Sequence, residues 1–410
     1  MMNVSGKGQN NENLLNINRS LIVQHLQRDK VCTRSQLSKA LGLTPASITK
    51  TVAGLMENGL VEEIGFVQGE KGRRSIGITL RADLCKLIGV KLSRRNFSVG
   101  VFDMTGENFG VHSESFSEDE LLPGVLDKII QVIEGYMSRF DNVAAIGVAV
   151  PGPYLVKESR MVLVTETIGW KEVNLQEYLG SAFSVPVIIR HDANSGALAE
   201  WWFGTQIHQQ GETLIHYLVG EGVGAGIIID GEILTGDNGI AGEIGHVSID
   251  VNGPHCTCGN RGCLELYCSS LAFVKHAKSK LPEHPESTLT RYGSLTFSSI
   301  FEAANQGDRF AISLVRRAGR YIGYGAAAMI NTYDPSTIVI SNDMAGGGQT
   351  LLEEALAVVR ERIAPHIAEN VSIELSRFPN DPILYGAAAV AIDFCLKRPE
   401  ILMEMQKQKR

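Results

Sequence analysis

Strands and helices alternate along most of the chain, from about residue 86 onward. Runs rich in Val, Ile and Leu, such as KLIGVKL and VAAIGVAV, predict buried strands. A set of hairpin strands followed by a strand and a helix occurs twice, near residues 86–200 and 213–345. Because 410 residues are too many for one compact sheet, we expect an α/β protein with two similar lobes and a cleft between them. The predicted helices cover residues 119–138, 191–203, 269–280, 296–305 and 308–331.

The region before these lobes predicts a helix-turn-helix. Residues 18–28 have the apolar spacing of a first helix. A second helix is expected after Thr33, where Gln36 completes a capping box, and Gly42 is expected to end it. Thr44 followed by proline predicts the start of a third helix. Two short helices with a glycine in the turn between them are typical of helix-turn-helix proteins.

Two alternating strands around GEKGRR follow the third helix and predict a wing. Residues 15–81 hold ten Lys and Arg against five Asp and Glu, although the whole chain has a net charge of −7. A basic module on an acidic body favours DNA binding by this winged helix-turn-helix over the alternative, a hairpin pair used for protein contact. Small polar groups at a helix start suit base edges, and a basic wing tip suits phosphates. The expected DNA-binding residues are Ala46, Ser47, Thr49, Lys50, Lys71, Arg73 and Arg74.

The most specific motif lies at residues 243–265 and reads EIGHVSIDVNGPHCTCGNRGCLE. It contains one imidazole and three thiols with the spacing H-x9-C-x-C-x4-C. Such a set forms a closed tetrahedral zinc site of the structural type, and the glycines between the last two cysteines allow the tight turns that it requires. We expect one Zn²⁺ per chain, the alternative being thiols without a metal. The expected ligands are His246, Cys256, Cys258 and Cys263.

The stretches EIGH and CTCGNRGCLE are similar to the signature of the ROK family, which contains sugar kinases and sugar-responsive repressors. The region before them resembles the head of the branch with the xylose and N-acetylglucosamine repressors. The resemblance covers nearly the whole chain from about residue 14, and it implies a two-lobed actin-like body of the hexokinase type (ribonuclease H-like) with a sugar in the cleft. The expected divisions are a disordered tail (1–13), the winged helix-turn-helix (14–82), lobe one (83–205, with a C-terminal helix 383–410) and lobe two with the zinc loop (206–382).

The resemblance also implies a set of sugar contacts. Carboxylates accept hydrogen bonds from adjacent sugar hydroxyls, and an imidazole fixed by zinc adds a further contact. The acid that matches Asp192 is the base of the family kinases, although alone it is equally consistent with a helix N-cap. His191 stands where the kinases have Asn, so the identity of the sugar stays open. The implied sugar-binding residues are Pro151, Gly152, His191, Asp192, Glu243, His246 and Glu265.

The loops that hold ATP in the family kinases are altered in this chain. Their first loop has an acid and glycines where this sequence has Lys91, Arg94 and Arg95. Glu221 replaces a threonine that usually binds phosphate, and residues 341–343 read SND where the kinases have glycines. Because phosphate sites need close backbone approach and few carboxylates, we expect no ATP cofactor and no kinase activity.

These features predict a cytoplasmic, DNA-binding transcriptional repressor of carbohydrate-utilisation genes. Its expected partners are operator DNA and a mono- or oligosaccharide that releases it from the operator. A homodimer or homotetramer is expected, because one winged helix reads one half-site. No membrane association is expected, because no apolar run approaches the ~20 residues of a membrane span and no secretory signal is visible. The alternatives are an active sugar kinase with a regulatory head, a repressor relieved by a protein partner, and an activator.

Overall fold

The computed structural model describes residues 11–68, 74–117, 120–152, 154–155, 158–161, 173–204, 211–376, 378 and 381–408. Two of the expected DNA contacts, Lys71 and Arg73, lie outside these ranges, as do residues 1–10 of the expected tail. Within them the chain is the mixed α/β protein that the sequence predicts. Among the described residues no helix has the length and apolar character needed to cross a membrane.

Three helices and a small antiparallel sheet form the N-terminal region. The helices are α1 (Asn11–Asp29), α2 (Arg34–Leu41) and α3 (Pro45–Glu57), and the strands are β1 (Val31–Thr33), β2 (Val61–Gln68) and β3 (Arg74–Leu80). The sheet order is β1-β3-β2. Residues 11–13, expected in a disordered tail, belong to α1.

The predicted helix caps of this region are present. Thr33 and Gln36 form the reciprocal capping box at the start of α2, and Gly42 ends that helix with a left-handed φ of 64°. The Thr44 side chain accepts a hydrogen bond from the backbone N–H of Ser47 at the start of α3. Local sequence chemistry therefore fixes both ends of the turn between α2 and α3.

The first lobe is built on a five-stranded sheet with the order β6-β5-β4-β7-β10. Strands β4, β5 and β6 pair antiparallel, whereas β7 and β10 are parallel additions. The polar strand β6 was not predicted. The elements are β4 (Lys86–Leu92), β5 (Asn96–Phe102), β6 (Asn108–Ser115), α4 (Leu122–Met137), β7 (Val143–Val150), β8 (Tyr154–Leu155), β9 (Arg160–Met161), α5 (Leu175–Ala182), β10 (Val187–His191) and α6 (Asp192–Phe203).

The second lobe repeats this topology with the sheet order β13-β12-β11-β14-β15. Three antiparallel strands are again followed by two parallel ones, which supports the duplication inferred from the sequence. The elements are β11 (Thr213–Val219), β12 (Val223–Ile229), β13 (Glu232–Ile233), α7 (Glu265–Cys268), α8 (Ser270–Lys280), α9 (Phe297–Asn305), α10 (Arg309–Tyr333), β14 (Thr337–Ser341), α11 (Gly348–Arg362), α12 (Pro365–Ala368) and β15 (Ser372–Leu375).

The C-terminal region forms two helices, α13 (Pro382–Lys397) and α14 (Pro399–Gln408), so the single helix expected over 383–410 is wrong. The break falls before Pro399, since proline has no N–H and clashes with a continuing helix. Helix α13 lies very close to the lobe-one sheet, because a Cβ on Gly147 of β7 would come within 1.9 Å of the Ala387 carbonyl oxygen. It also packs on α6, which in turn contacts strands β11 and β12 of lobe two.

Helix α13 also connects the lobes to the N-terminal region. The Ser20 hydroxyl of α1 donates a hydrogen bond to the Leu396 carbonyl at the end of α13. Gln27 of α1 donates to the Met104 carbonyl of lobe one. Buried apolar side chains of α1, α13 and α14, including Leu26 and Leu402, belong to one continuous core. The N-terminal region is therefore packed onto the body.

Candidate functional site

A cleft of about 820 Å³ lies between the two lobes. All seven residues of the expected sugar site line it, although they come from four separated segments of the chain. Several sit where parallel strands end: β7 leads into Pro151 and Gly152, and β10 ends at His191, immediately before Asp192 at the start of α6. Polar groups at the carboxyl ends of parallel strands meet at one edge of a sheet, which is where ligands bind in α/β proteins.

His191 lies at the centre of these residues and is largely buried. Its Nε2 is 3.0 Å from Asp192 Oδ1, and its Nδ1 is 4.0 Å from Glu243 Oε1. A Cβ on Gly152 would lie 1.9 Å from His191 Nε2, so only glycine leaves room for the ring in this position. The ring thus links the carboxylates of Asp192 and Glu243 across the cleft.

A third carboxylate, that of Glu265, completes the polar wall. Glu265 Oε2 accepts a hydrogen bond of 3.0 Å from the backbone N–H of Val223. Burial raises the pKa of Glu243, while the neighbouring His191 and His246 rings oppose that shift. The Glu243 Oε1 atom is buried without a hydrogen-bond partner among the described residues. A buried acceptor of this kind is suited to a ligand hydroxyl.

The four expected metal ligands converge beside the cleft. Their donor atoms, drawn from His246, Cys256, Cys258 and Cys263, all lie within 4.8 Å of one another. The Cys258 and Cys263 sulfurs are 3.7 Å apart, and the Cys256 sulfur is 3.8 Å from His246 Nδ1. Zn–S bonds of about 2.3 Å place two sulfurs of a tetrahedron about 3.8 Å apart, so the donor set and its spacing fit a zinc ion.

His246 belongs to both groups of residues. Its Nδ1 faces the cysteines, whereas its Nε2 lies 4.0 Å from Glu243 Oε2 in the cleft. Gly262 allows the loop to close, because a Cβ there would lie 1.8 Å from the Asp250 carbonyl oxygen and its φ is 58°. A metal on Nδ1 would fix the ring that stands against Glu243.

The other side of the cleft carries Lys91, Glu221 and Asp343, where altered ATP loops were expected from the sequence. Lys91 Nζ donates to Asp381 Oδ2, at the residue that caps α13. Asp343 accepts a hydrogen bond of 2.8 Å from Ser270, and burial raises its pKa, with Glu221 adding to the shift. Two carboxylates, Glu221 and Asp343, and the Lys91–Asp381 ion pair therefore lie on this side. Sequence reasoning missed Asp381, whose only local signal is an Asp-Pro helix start.

The expected DNA contacts that the structure describes lie on α3 and β3. Ala46, Thr49 and Lys50 are exposed on the first turns of α3, and Ser47 is half-buried. The Thr49 hydroxyl donates to the Pro45 carbonyl of its own helix. Arg74 is exposed at the first residue of β3. The opposite face of α3 is buried in the core, so the face with Ala46, Thr49 and Lys50 is the exposed one.

Comparisons with known proteins agree with this architecture. A xylose repressor of Caldicellulosiruptor bescii is 29% identical over 94% of this chain and 98% of its own length. The DNA-binding transcriptional dual regulator NagC of Escherichia coli (strain K12) is 32% identical over 78% of this chain and 79% of its own length.

Solved structures show the same fold. A ROK family transcriptional regulator, described as a homolog of the E. coli MLC protein, superposes with a TM-score of 0.80 at 26% identity over 96% of this chain and 99% of its own. A ROK family glucokinase from Streptomyces griseus, in complex with glucose and AMPPNP, gives a TM-score of 0.66 at 27% identity over 75% of this chain and 99% of its own. The two repeated sheets are therefore the actin-like lobes of this fold. The model of the ROK family matches residues 87–393, and the chain belongs to that family.

Proposed function

We propose that the protein is a sugar-responsive, DNA-binding transcriptional repressor that has lost kinase activity. The observation that carries this proposal is the combination of a capped helix-turn-helix region with a cleft in which seven sugar-site residues converge. Relatives named as repressors match the N-terminal region as well as the lobes, since the xylose repressor aligns over 94% of the chain. A gel-shift series with operator fragments and a sugar panel tests the proposal, and operator release by a sugar is expected.

We propose that residues 14–82 are a winged helix-turn-helix, that 83–205 with α13 and α14 form lobe one, and that 206–382 form lobe two with a structural zinc ion. His246 and the three cysteines hold the ion, which fixes the loop and the imidazole. The sugar lies against Asp192, Glu243 and Glu265, with His191 and His246 between them. Carboxylates in pairs suit adjacent hydroxyls on a sugar ring.

Helix α13 provides a route from the cleft to the DNA-binding region. Its first turn follows Asp381, which pairs with Lys91 in the cleft, and its last turn accepts a hydrogen bond from Ser20 of α1. A sugar that closes the lobes shifts α13 against the N-terminal region and changes the spacing of the heads in a homodimer or homotetramer. By linkage, operator DNA weakens sugar binding by the same factor.

We expect no phosphoryl transfer from ATP. Two carboxylates, Glu221 and Asp343, line the cleft on the side of Lys91, and Lys91 is already paired with Asp381. Incubation with ATP, Mg²⁺ and a sugar panel, followed by an assay for ADP, is expected to show no turnover above a sugar-free blank. Sugar-dependent ADP release would instead support an active kinase, the alternative suggested by the likeness to a glucokinase.

Two kinds of DNA-contact variant are expected to behave differently. Arg74→Ala should weaken binding to all sequences and flatten its salt dependence by about one unit of slope, because it removes a phosphate contact. Ser47→Ala should change the sequence preference, because Ser47 lies at the start of α3 where side chains reach base edges. Fluorescence anisotropy at several salt concentrations measures both. An exposed arginine of lobe two, Arg291, supplies the control, and equal loss for Arg291→Ala and Arg74→Ala would count against this DNA surface.

Gly152→Ala is expected to weaken sugar binding without weakening DNA binding. The added Cβ would overlap the His191 ring, so the ring must leave its place between Asp192 and Glu243. We expect a loss of affinity of about tenfold or more, equivalent to one lost hydrogen bond to a charged group. Gly135→Ala is the matched control, because nothing lies within 4 Å of a Cβ there. Calorimetry with the sugar that releases the operator measures the sugar affinity of both variants, and only Gly152→Ala should show the loss.

A further inference from the structure

Helix α10 carries an exposed stripe of arginines and tyrosines away from the sugar residues. A groove of about 400 Å³ is lined there by Ser313, Arg316, Arg317, Arg320, Tyr321 and Tyr324. Their spacing alternates between three and one residues, which places them on one face of the helix. We call this surface the arginine groove.

The arginine groove has an excess of positive charge. Its one acidic lining residue is Glu354 of α11, whose Oε1 lies 3.5 Å from Arg316 Nε. Among the residues that the structure describes, Arg317 and Arg320 have no carboxylate within ion-pair distance. Three guanidinium groups thus face one carboxylate, on a chain whose net charge is −7.

One guanidinium group of the groove, that of Arg317, is held by an aromatic ring, and a neighbouring arginine outside the groove makes a similar contact. The Arg317 guanidinium carbon lies 4.8 Å from the centre of the Tyr321 ring, and Tyr321 itself packs on Tyr267 at 4.9 Å between ring centres. Arg362 of α11 lies over Tyr324 at 5.4 Å. Stacking uses the face of a guanidinium and leaves its N–H edges available for hydrogen bonds. The groove therefore presents oriented donors.

The platform beneath the groove is rigid. A Cβ on Gly319 would lie 2.5 Å from the Leu351 carbonyl oxygen, and one on Gly323 would lie 2.7 Å from that of Ala355. Helices α10 and α11 are therefore in backbone contact directly under the arginines. A site with fixed donors loses little conformational entropy when an anion binds.

We propose that the arginine groove binds a small phosphorylated molecule. The N–H edges of Arg317 and Arg320 hold the phosphoryl oxygens, and Ser313 and Tyr324 contact the rest of the ligand. Phosphate carries close to two negative charges and three acceptor oxygens, and planar guanidinium groups bind it in a bidentate manner. None of the seven proposed sugar residues lines this groove, although Arg317 lines both the groove and the cleft.

Calorimetric titration of the full-length protein at low salt, without operator DNA or an unphosphorylated sugar, tests the proposal. The probes are inorganic phosphate, a hexose 6-phosphate and a nucleoside monophosphate, whose relative affinities distinguish free phosphate from phosphate esters as the source. Arg320→Gln should weaken binding about tenfold or more, the size of one charge-assisted hydrogen bond. Arg309→Gln is the control, because Arg309 is the exposed first residue of the same helix and lies outside the groove. Its affinity for the probes should stay within about twofold of that of the unchanged protein.

Arg320 is the diagnostic position because Arg317 also lines the sugar cleft. Thermal melting is expected to be the same for both variants, since both side chains are exposed. The proposal is overturned if no probe binds more tightly than about 1 mM, or if Arg320→Gln and Arg309→Gln bind equally. It is also overturned if Arg320→Gln changes only the oligomeric state, because the groove is then a contact between subunits. Inorganic phosphate has no sugar ring and the assay contains no operator, so the comparison of the two variants with that probe is independent of the proposed repressor function.

Discussion

An Asp192→Asn variant is expected to bind operator DNA with the same affinity as the unchanged protein. It should remain on the operator at sugar concentrations that release the unchanged protein. Asp192 Oδ1 lies 3.0 Å from His191 Nε2 and accepts the Ala193 N–H at 2.7 Å, and asparagine can keep that second contact. The substitution therefore spares the start of α6 and removes the negative charge that sugar hydroxyls would meet.

The expected loss of sugar affinity is about 10- to 150-fold, because a hydrogen bond to a charged group contributes about 1.5–3 kcal/mol. Calorimetry gives the sugar affinity, and gel shift gives the concentration that releases DNA. Asp141→Asn is the control, since Asp141 is exposed outside the cleft. Equal sugar affinities for the two variants would exclude Asp192 from the site. Loss of operator binding would show that the substitution damages the protein more widely.

The sequence predicted those structural features that depend only on residues close together in the chain. The capping box at Thr33, the left-handed Gly42 and the cap at Thr44 are all present, because each depends on residues within four positions of one another. The zinc motif behaves in the same way, since its three cysteines lie within eight residues of sequence and glycines close the loop. The fourth donor, His246, precedes Cys256 by ten residues, so all four donors belong to one continuous sequence motif.

Features that depend on distant segments were not predicted. Lys91 pairs with Asp381, 290 residues away, so the sequence of the first loop alone gives no sign of its partner. Helix α13 was expected as part of a C-terminal helix, but its burial on nearly all sides was not, because it lacks a clear polar face and periodicity carries little information for such a helix. Strand β6 reads NFGVHSES and shows no alternation, because its position at the edge of the sheet leaves most of its residues exposed.

The sugar site lies between these two cases. Each residue is recognisable only through the resemblance to the family, since a single acid before a helix is also a plausible N-cap. Convergence in one cleft depends on the packing of α6 and α13 between the lobes. Gly152 shows where sequence reasoning stops. The sequence shows only a glycine after a proline, whereas the need for glycine at this position comes from the His191 ring, 39 residues later.

Cys258→Ser is expected to remove both the metal and the sugar response. The unchanged protein should contain one zinc ion per chain by elemental analysis, and the variant should contain none after mild chelation, because a hydroxyl is a poor replacement for a thiolate ligand. With the ion gone, His246 is no longer fixed against Glu243, from which its Nε2 is 4.0 Å distant. We expect sugar affinity to fall by about tenfold or more, the size of one lost hydrogen bond to a charged group.

His255→Ala supplies the matched control for the metal, because His255 is an exposed residue of the same loop that lies outside the cluster of donor atoms. Its zinc content should remain at one per chain. Addition of Zn²⁺ to chelated unchanged protein should restore sugar binding, whereas the same addition to Cys258→Ser should not. A metal-free preparation that keeps full sugar affinity would contradict the role of the ion. Zinc in Cys258→Ser at the level of the control would exclude Cys258 as a ligand, and with it the closed four-donor site.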